Sequence, residues 1–382
     1  MKRYLVAVSI GIIFAFYSGC KTYQTIVTNT SGGGNSNALE WVAVNSPVAS
    51  NGINMIIDQL FVDSHDRLYA VSVSGYSIGS SSDGGMTWSA ADSIPTPPRP
   101  YYSNYFQIYI APNEDLYLCI YFIPSTAGGI TLQYNDSTLL FRSTNFGGSW
   151  FAVTNPAGKK GAIPNIVFDN AGNMFAGTSG GVFKSVDNAA TWTPLNSGFA
   201  SDSVASLAIG PGNVLYAGVI DEGIYRSNNE GAAWTPVNSG LPSAQNETYI
   251  ITPISSLPSG IGPLILGVDN SDKVYVSIVG NNFFIGNSNN HFYVSSSQGQ
   301  QWTFIDSGIP NTESIVNMLI VDSTDMYCQG ASRNNYYSDN GINWYVMPQD
   351  AYAPHMPNAV DSKKYLYAIG MDIILKSATP AP

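Results

Sequence analysis

The chain has 382 residues, of which only 11% are charged, and its formal net charge is −11. Beyond residues 1–19 its basic residues cluster only at Lys159–Lys160 and Lys363–Lys364, which argues against a nucleic-acid-binding protein, because that class needs a positive footprint. The 37 glycines, 24 tyrosines and 22 prolines favour short strands joined by tight turns, and so predict an all-β fold.

Residues 1–19 are predicted to be a signal peptide. A basic start is followed by an apolar run at 5–16, which is too short to span a membrane stably. Ser18 and Gly19 then precede Cys20. This pattern resembles a bacterial lipoprotein signal, which implies that Cys20 is lipidated after cleavage. The alternative is an ordinary secretory signal with an incidental cysteine.

The resemblance implies export to the cell envelope and a membrane attachment through the lipid anchor at Cys20. Lys21 stands where an aspartate is associated with inner-membrane retention, so an outer-membrane or surface location is expected. Residues 20–39 are polar and glycine-rich, and we predict a flexible tether there. Cys119 and Cys328 lie in distant parts of the chain and are predicted to be buried free thiols.

Six of the seven tryptophans end a similar eight-residue segment with the pattern Ser-x-Asp-x-Gly-x-x-Trp. We call these segments the tryptophan turns; they are residues 81–88, 143–150, 185–192, 227–234, 295–302 and 337–344. Their polar positions and their tryptophans are Asp83, Trp88, Asn145, Trp150, Asp187, Trp192, Asn229, Trp234, Ser297, Trp302, Asp339 and Trp344.

A second column of aromatic residues repeats with the same period. Its members lie in short strand-like segments and are Tyr69, Tyr117, Phe175, Tyr216, Tyr275, Tyr327 and Tyr367. Regular units are 42 residues long, as between Trp150 and Trp192. Four strands in a unit of this length are typical of a β-propeller blade, so seven aromatic positions predict seven blades.

The tryptophan turns resemble the Asp box (BNR repeat) of sialidases, sortilin-type receptors, xyloglucan-cleaving glycosidases and photosystem II assembly factors. The resemblance implies a structural turn. The Asp or Asn accepts backbone N–H groups, and the tryptophan packs between blades. Each turn offers a single carboxylate at most, so no metal site and no cofactor is predicted.

The two ends of the chain predict how the ring closes. The last unit stops after Leu375-Lys376-Ser377 without a tryptophan, and Trp41 begins a segment that matches the outer strand of other units. The N-terminal strand therefore completes the last blade, which removes open sheet edges. This predicts one seven-bladed β-propeller over residues 40–382.

The blade topology separates two faces. The turn face carries the tryptophan turns and the turns between the first and second strands. The loop face carries the other connections, including long insertions at 95–106, 123–136, 241–260 and 279–292. Candidate ligand-binding residues on it are Arg99, Tyr101, Tyr102, Tyr105, Tyr134, Phe283, Phe284 and His291. Aromatic and amide side chains suit a glycan or a protein partner, although they can equally pack the loops onto their own blades.

An enzyme is the less favoured interpretation. A sialidase needs an arginine triad, and only Arg99 and Arg333 are available on the loop face. Glycoside hydrolysis needs two nearby carboxyl groups, and Asp221-Glu222 is the only adjacent pair among the loop-face candidates. The sequence therefore predicts a lipid-anchored binding or scaffold module for a glycan or an envelope protein. The alternative is a glycoside hydrolase or lyase that acts on polysaccharide in the same cleft.

Overall fold

The structure is a computed structural model. It describes residues 26–27, 41–47, 55–72, 75–89, 92–96, 101–124, 137–156, 165–200, 203–220, 222–241, 264–269, 271–278, 291–305, 307–310, 313, 315–330, 334–347, 357–369, 373–378 and 380–381. Over these residues the regular structure is β-strand, apart from one short 3-10 turn at Pro211–Asn213. No helix in this part of the chain has the length and apolarity needed to cross a bilayer.

Two strands precede the first blade: β1 (Ile26–Val27) and β2 (Trp41–Val44). Blade 1 contains β3 (Gln59–Val62), β4 (Leu68–Ser72), β5 (Ser77–Ser81) and β6 (Asp92–Ser93). Blade 2 contains β7 (Tyr101–Ile110), β8 (Leu116–Pro124), β9 (Ser137–Ser143) and β10 (Phe151–Val153). Blade 3 contains β11 (Asn165–Phe168), β12 (Met174–Thr178), β13 (Gly181–Ser185) and β14 (Thr193–Pro194).

Blade 4 contains β15 (Val204–Ile209), β16 (Leu215–Val219), β17 (Gly223–Ser227) and β18 (Thr235–Pro236). Blade 5 contains β19 (Leu264–Val268), β20 (Val274–Ile278), β21 (His291–Ser295) and β22 (Thr303–Phe304). Blade 6 contains β23 (Ile315–Ile320), β24 (Met326–Gly330), β25 (Asn335–Ser338) and β26 (Tyr345–Val346). Blade 7 contains β27 (Pro357–Val360), β28 (Leu366–Ile369) and β29 (Ile374–Ser377).

The strands form seven antiparallel sheets, and blade 7 is completed by the N-terminal strand β2. Trp41 pairs with Ser377 and Val44 pairs with Ile374. Both the seven-bladed propeller and its closure by an N-terminal strand are therefore confirmed. The short strand β1 pairs with β2 and adds a fifth strand to this sheet. It lies inside the segment that the sequence predicts as a flexible tether.

The core lies between neighbouring blades. The second strands β4, β12 and β16 are buried along their whole length, because a blade on each side covers them. The aromatic column supplies the largest of these side chains, and Tyr69, Tyr216 and Tyr275 have no exposed surface. Each buried aromatic ring contributes about 1.5–3 kcal/mol by leaving water. Cys119 and Cys328 are free and buried, as predicted.

The tryptophan turns hold themselves together through local hydrogen bonds. In the turn of blade 4, Ser227 Oγ donates to Asn229 Oδ1 at 2.7 Å and accepts the N–H of Gly231 at 2.9 Å. The same pair of bonds occurs at Ser81 and at Ser185, which donate to Asp83 and Asp187. In each case a buried serine hydroxyl satisfies backbone groups of a turn that has no ladder partner.

The turn of blade 6 is built differently from the prediction. Asn340, not Asp339, accepts the N–H groups of Ile342 and Asn343, at 2.9 and 2.8 Å. Ser338 Oγ accepts the N–H of Gly341 at 2.9 Å, three residues away instead of four. This turn is one residue shorter than the others when measured from its serine, so the acceptor position falls on the residue after Asp339.

Four of the described tryptophans join their blade to the preceding one through a hydrogen bond of the indole ring. The indole N–H groups donate to carbonyl groups at the end of the neighbouring outer strand, in the pairs Trp88–Asn45, Trp192–Thr154, Trp234–Leu195 and Trp302–Val237, at 2.6–2.8 Å. Gly198 follows one of these outer strands with φ +109°, and a Cβ at that position would overlap the carbonyl oxygen of Trp234. The turn face is therefore occupied by contacts that join blades.

Candidate binding face

The first two strands of blade 2 extend further towards the loop face than the described strands of the other blades. Its inner strand β7 has ten residues, whereas the inner strands of the other blades have four to six. The turn that follows has the same length as its counterpart in blade 1, since five residues separate Ile110 from Leu116 and also Val62 from Leu68. The extra four to six residues therefore project on the loop face, by about 13–20 Å at 3.3 Å per residue. We call β7 and β8 beyond this level the blade 2 wall.

The wall is a correction to the predicted insertion at 95–106. Tyr101, Tyr105 and Phe106 lie in regular strand and not in a loop: Tyr101 pairs with Pro124, and Tyr105 pairs with Tyr121. A register shift falls between Tyr101 and Ser103. The cause is that residues 120–124 supply a complementary strand, of which 123–124 belong to the second predicted insertion at 123–136.

The wall has a free edge in the described structure. The sheet order in blade 2 is β10-β9-β8-β7, so β7 has one strand neighbour and presents its other side to the centre of the ring. The backbone N–H and C=O groups along such an edge can pair with an added extended chain. This edge is a feature on which a polypeptide ligand can bind without a preformed pocket.

The structure describes the backbone of four of the eight predicted binding residues. Tyr101, Tyr102 and Tyr105 lie in β7, while His291 begins β21 opposite Ile278. The other four predicted residues lie outside the described residues; they are Arg99, Tyr134, Phe283 and Phe284. The grouping of all eight into one cleft therefore stays a prediction.

Two carboxylates on the loop face, Glu222 and Glu313, connect a loop to a strand of their own blade by accepting hydrogen bonds. Glu222 Oε2 accepts the hydroxyl of Tyr225 at 2.7 Å and the N–H of Ala200 at 3.3 Å. Burial, followed by the hydrogen bond to Glu222, raises the pKa of Tyr225 to about 12. The carboxylate thus joins the hairpin of blade 4 to the chain that enters from blade 3.

In blade 6 a carboxylate from a different segment likewise accepts a hydrogen bond from a tyrosine hydroxyl. Glu313, which is buried, accepts the hydroxyl of Tyr336 at 3.3 Å and the side-chain amide of Asn334 at 3.2 Å. Burial and the neighbouring Glu313 charge raise the pKa of Tyr336 to about 12. Tyr225 and Tyr336 each lie two residues before the serine of their tryptophan turn. Here, however, the acid comes from the incoming connection and not from the hairpin.

Gly330 lies against the Glu313 carboxyl group, where a larger side chain would not fit. A Cβ at Gly330 would overlap the carboxyl group of Glu313. The close approach lets Glu313 reach Tyr336 from the neighbouring connection. Glu222 belongs to the adjacent pair of candidate acids in the sequence, and in the structure both Glu222 and Glu313 accept a hydrogen bond from a tyrosine of their own blade.

The turns between first and second strands form a ring of polar contacts on the turn face. Ser362 of blade 7 donates its N–H and its hydroxyl to Asp66 of blade 1, both at 2.6 Å. Burial raises the pKa of Asp66, but these two bonds outweigh it and hold the pKa below its ordinary value. Lys364 Nζ donates to Asp322 Oδ2 of blade 6 at 2.7 Å.

One group on this ring has the residue types of a metal site. Asp63 and His65 of blade 1 lie with Glu114 of blade 2, and their ligand atoms are all within 4.8 Å. Asp63 Oδ1 already accepts the N–H groups of His65 and Arg67, and its Oδ2 accepts the hydroxyl of Tyr69 at 3.0 Å. The Arg67 guanidinium is 3.8 Å from Oδ2. This donor set and its fixed positive charge fit a contact between blades better than a cation site.

The sequence reading missed this group because Glu114 is separated from His65 by about fifty positions. The geometry that joins them is a contact between adjacent blades: His65 Nδ1 touches Glu114 Oε1, and Ser64 Oγ donates to the same oxygen at 3.4 Å. A repeat alignment could have indicated it, since both residues lie in the turn between first and second strands.

These features define a closed seven-bladed β-propeller whose turn face carries contacts that join neighbouring blades. Residues 129–370 match the model of the DUF6242 beta propeller domain, and the chain belongs to that family. No curated protein matches the sequence.

Several solved propellers share the fold. YCF48 bound to D1 peptide has 14% identity and a TM-score of 0.56, covering 91% of this chain and 98% of that one. YCF48 from Cyanidioschyzon merolae has 14% identity and a TM-score of 0.52, with 89% and 98% covered. The GH74 xyloglucanase from Xanthomonas campestris has 15% identity and a TM-score of 0.54. The match covers 88% of this chain and 57% of the xyloglucanase.

Proposed function

We propose that the protein is a lipid-anchored binding module of the cell envelope that engages an extended segment of an envelope protein through its loop face. The observation that carries the proposal is the inner edge of β7 at residues 101–106, which pair with β8 on one side and have no second strand neighbour in the described structure. An edge of this length offers main-chain pairing for affinity, and side chains on alternate positions for specificity.

Three further considerations support a protein partner. Tyr101, Tyr102 and Tyr105 lie on this strand, and tyrosine is enriched at energetic centres of protein interfaces. The structural neighbour YCF48 was solved with a D1 peptide bound. The carboxylates Glu222 and Glu313 fasten loops, which leaves them poorly placed to act as a pair on a polysaccharide.

The tryptophan turns are proposed to be Asp boxes with a structural task, and Cys20 is proposed to carry the lipid. In this arrangement residues 1–19 are the signal peptide, 20–39 connect the lipid to the propeller and 40–382 form the binding domain. A glycan on the loop face is the competing occupant, and the experiment below distinguishes the two.

The test places a photo-crosslinking phenylalanine analogue at Tyr105 in the full chain in its native membrane. The control position is Phe304, which is 37% exposed on the outer strand of blade 5, away from the wall. We expect a discrete crosslinked protein from position 105 and none from position 304. The identified partner is then purified, and Tyr102→Ala and Tyr105→Ala should weaken its Kd at least tenfold, while Phe151→Ala on the rim should not.

A crosslink of equal strength at both positions would contradict the proposal. So would the absence of any crosslink at Tyr105 combined with a reproducible rise in Tm on addition of one polysaccharide from a panel. A ligand at about a hundred times its Kd adds roughly 2.7 kcal/mol to the free energy of unfolding, so such a rise would be measurable and would make the occupant a glycan.

A further inference from the structure

The turn between the first two strands of blade 4 differs from every other turn of its type. Its residues 210–214, with the sequence GPGNV, include no carboxylate, whereas the equivalent turn of each other blade has at least one aspartate. In blade 1 that aspartate, Asp63, accepts the hydroxyl of Tyr69 from the aromatic column at 3.0 Å, and blade 7 repeats this bond. Tyr216 of blade 4 therefore has no acid in its own turn to bind.

Tyr216 lies among polar groups of two blades. It is opposite Arg226 in the pairing of β16 with β17, and it has no exposed surface. Asp272 of blade 5 faces the same place, because a Cβ added at Gly210 would lie 3.4 Å from Asp272 Oδ1 and 3.7 Å from Tyr216 Cε2. Burial raises the pKa of Tyr216 to about 12, and the charges of Arg226 and Asp272 are close enough to the hydroxyl to shift it in opposite directions.

One side of this group is connected by a side-chain amide. Gln298 of blade 5 accepts a hydrogen bond from Arg226 Nη2 at 2.5 Å and donates one from its Nε2 to Asp272 Oδ2 at 3.0 Å. The amide thus relays between a guanidinium group of blade 4 and a carboxylate of blade 5. It uses one nitrogen of the arginine and one oxygen of the aspartate, and it leaves the second oxygen for another partner.

Three polar atoms of the group have no hydrogen-bond partner within the described part of the chain. They are Tyr216 Oη, Arg226 Nε and Asp272 Oδ1, and all three atoms are buried. A buried polar atom without a partner lowers the free energy of unfolding, because its bond to water is lost and not replaced. Three such atoms in one place therefore indicate a small ligand that satisfies all of them.

The donor and acceptor types identify the ligand. The hydroxyl of Tyr216 and the Nε–H of Arg226 are donors, whereas Asp272 Oδ1 is an acceptor. The guanidinium charge disfavours a cation here, and the carboxylate charge disfavours an anion. A water molecule accepts two hydrogen bonds and donates two, so it matches all three atoms at once.

We propose that one buried water molecule is bound by Tyr216, Arg226 and Asp272 and joins blade 4 to blade 5. The water and the Gln298 amide then connect the same guanidinium group to the same carboxylate along two separate paths. In blade 4 the water takes the position that the turn aspartate has in blades 1 and 7. This site lies on the turn face and is independent of the partner proposed for β7.

A crystal structure of the full chain tests the site directly. We expect a density peak at about 2.6–3.2 Å from Tyr216 Oη, Arg226 Nε and Asp272 Oδ1. A direct hydrogen bond between the tyrosine hydroxyl and the aspartate, with no peak beside them, would overturn the inference. A peak in contact with only one of the three atoms would overturn it as well.

Thermal unfolding of Tyr216→Phe tests the same bond in solution. The substitution removes the hydroxyl and keeps the ring, so the loss of a bond to the water should lower the Tm. Tyr69→Phe is the matched control, because its hydroxyl bonds directly to Asp63 and its loss should also lower the Tm. Removal of a hydroxyl that has no partner acts in the opposite direction. A Tm of Tyr216→Phe equal to or above that of the wild type would therefore overturn the inference.

Discussion

The indole N–H of Trp234 in blade 4 donates a 2.8 Å hydrogen bond to the carbonyl of Leu195 in blade 3. Trp234 is only 3% exposed, and its ring stacks on Phe199 with centroids 5.0 Å apart. A residue that ends a local turn thus also joins two blades, which explains why a glycine-containing turn ends in a large aromatic side chain.

Trp234→Phe should lower the free energy of unfolding by about 2–3 kcal/mol, because it removes this hydrogen bond and leaves unfilled volume in the core. Trp192→Phe is the matched control. Trp192 makes the same type of bond, to Thr154 at 2.7 Å, but is less buried, so its loss should cost about 1 kcal/mol. Urea denaturation of both variants decides the matter, and equal losses would show that burial of the tryptophan adds nothing.

Ser227→Ala tests the buried hydroxyl of a tryptophan turn. Ser227 is 1% exposed, and its loss leaves the buried N–H of Gly231 without its acceptor. We expect a decrease of about 1–3 kcal/mol in the free energy of unfolding. Thr235→Ala, at an exposed position in the same blade, should change it by less than about 0.5 kcal/mol. Similar values for the two variants would contradict a structural role for the serine.

Asp187→Asn tests the charge of the turn acid. The hydroxyl and the N–H of Thr191 donate to Asp187 and lower its pKa to about 2 from the ordinary 3.8. A lowered pKa in the folded state stabilises the protein above pH 3.8, and that contribution is lost as the pH falls towards 2. The asparagine variant has no such titration. Between pH 4 and pH 2 the Tm of the wild type should therefore fall more than the Tm of the variant.

A Tm difference that stays constant across this range would show that Asp187 acts only as a hydrogen-bond acceptor. Asn145 and Asn229 already occupy the equivalent positions in blades 2 and 4. Near neutral pH we therefore expect the variant to fold and to keep the turn.

Tyr225→Phe tests the alkaline limit. Burial and Glu222 raise the pKa of Tyr225 from 10.0 to about 12, so the folded state holds its proton more tightly than the unfolded state. The resulting stability is complete below pH 10 and decreases as the pH rises from 10 to 12. The variant should lose stability less steeply in this window. Denaturation at pH 9, 10, 11 and 12 measures it, with Tyr345→Phe, an exposed tyrosine, as the control that should match the wild type.

The repeat made the architecture predictable because its signals are local. Serine and Asp or Asn at fixed spacing satisfy the turn, a tryptophan follows, and an aromatic residue recurs in the second strand. These interactions depend on a few neighbouring residues, so seven blades and the closing strand at Trp41 could be read from spacing alone. Even so, local pattern failed in blade 6, where a turn one residue shorter moves the acceptor from Asp339 to Asn340.

The candidate site was less predictable, because its features depend on segments brought together by the ring. Glu222 and Glu313 bind equivalent tyrosines from different connections, which no common spacing indicates. The blade 2 wall required residues 101–106 and 120–124 to pair across a long insertion.

The sequence by itself determined the period, the number of blades and the division into two faces, since each follows from hydrogen bonds and burial within one repeat. It also determined the closure of the ring, because the segment at Trp41 matches the outer strand that the last unit lacks. The tertiary structure alone decided that β7 rises as a free edge, that His65 meets Glu114 and that β1 pairs at blade 7. Those contacts join residues far apart in the chain, and their energies depend on the stacking of neighbouring blades rather than on any local propensity.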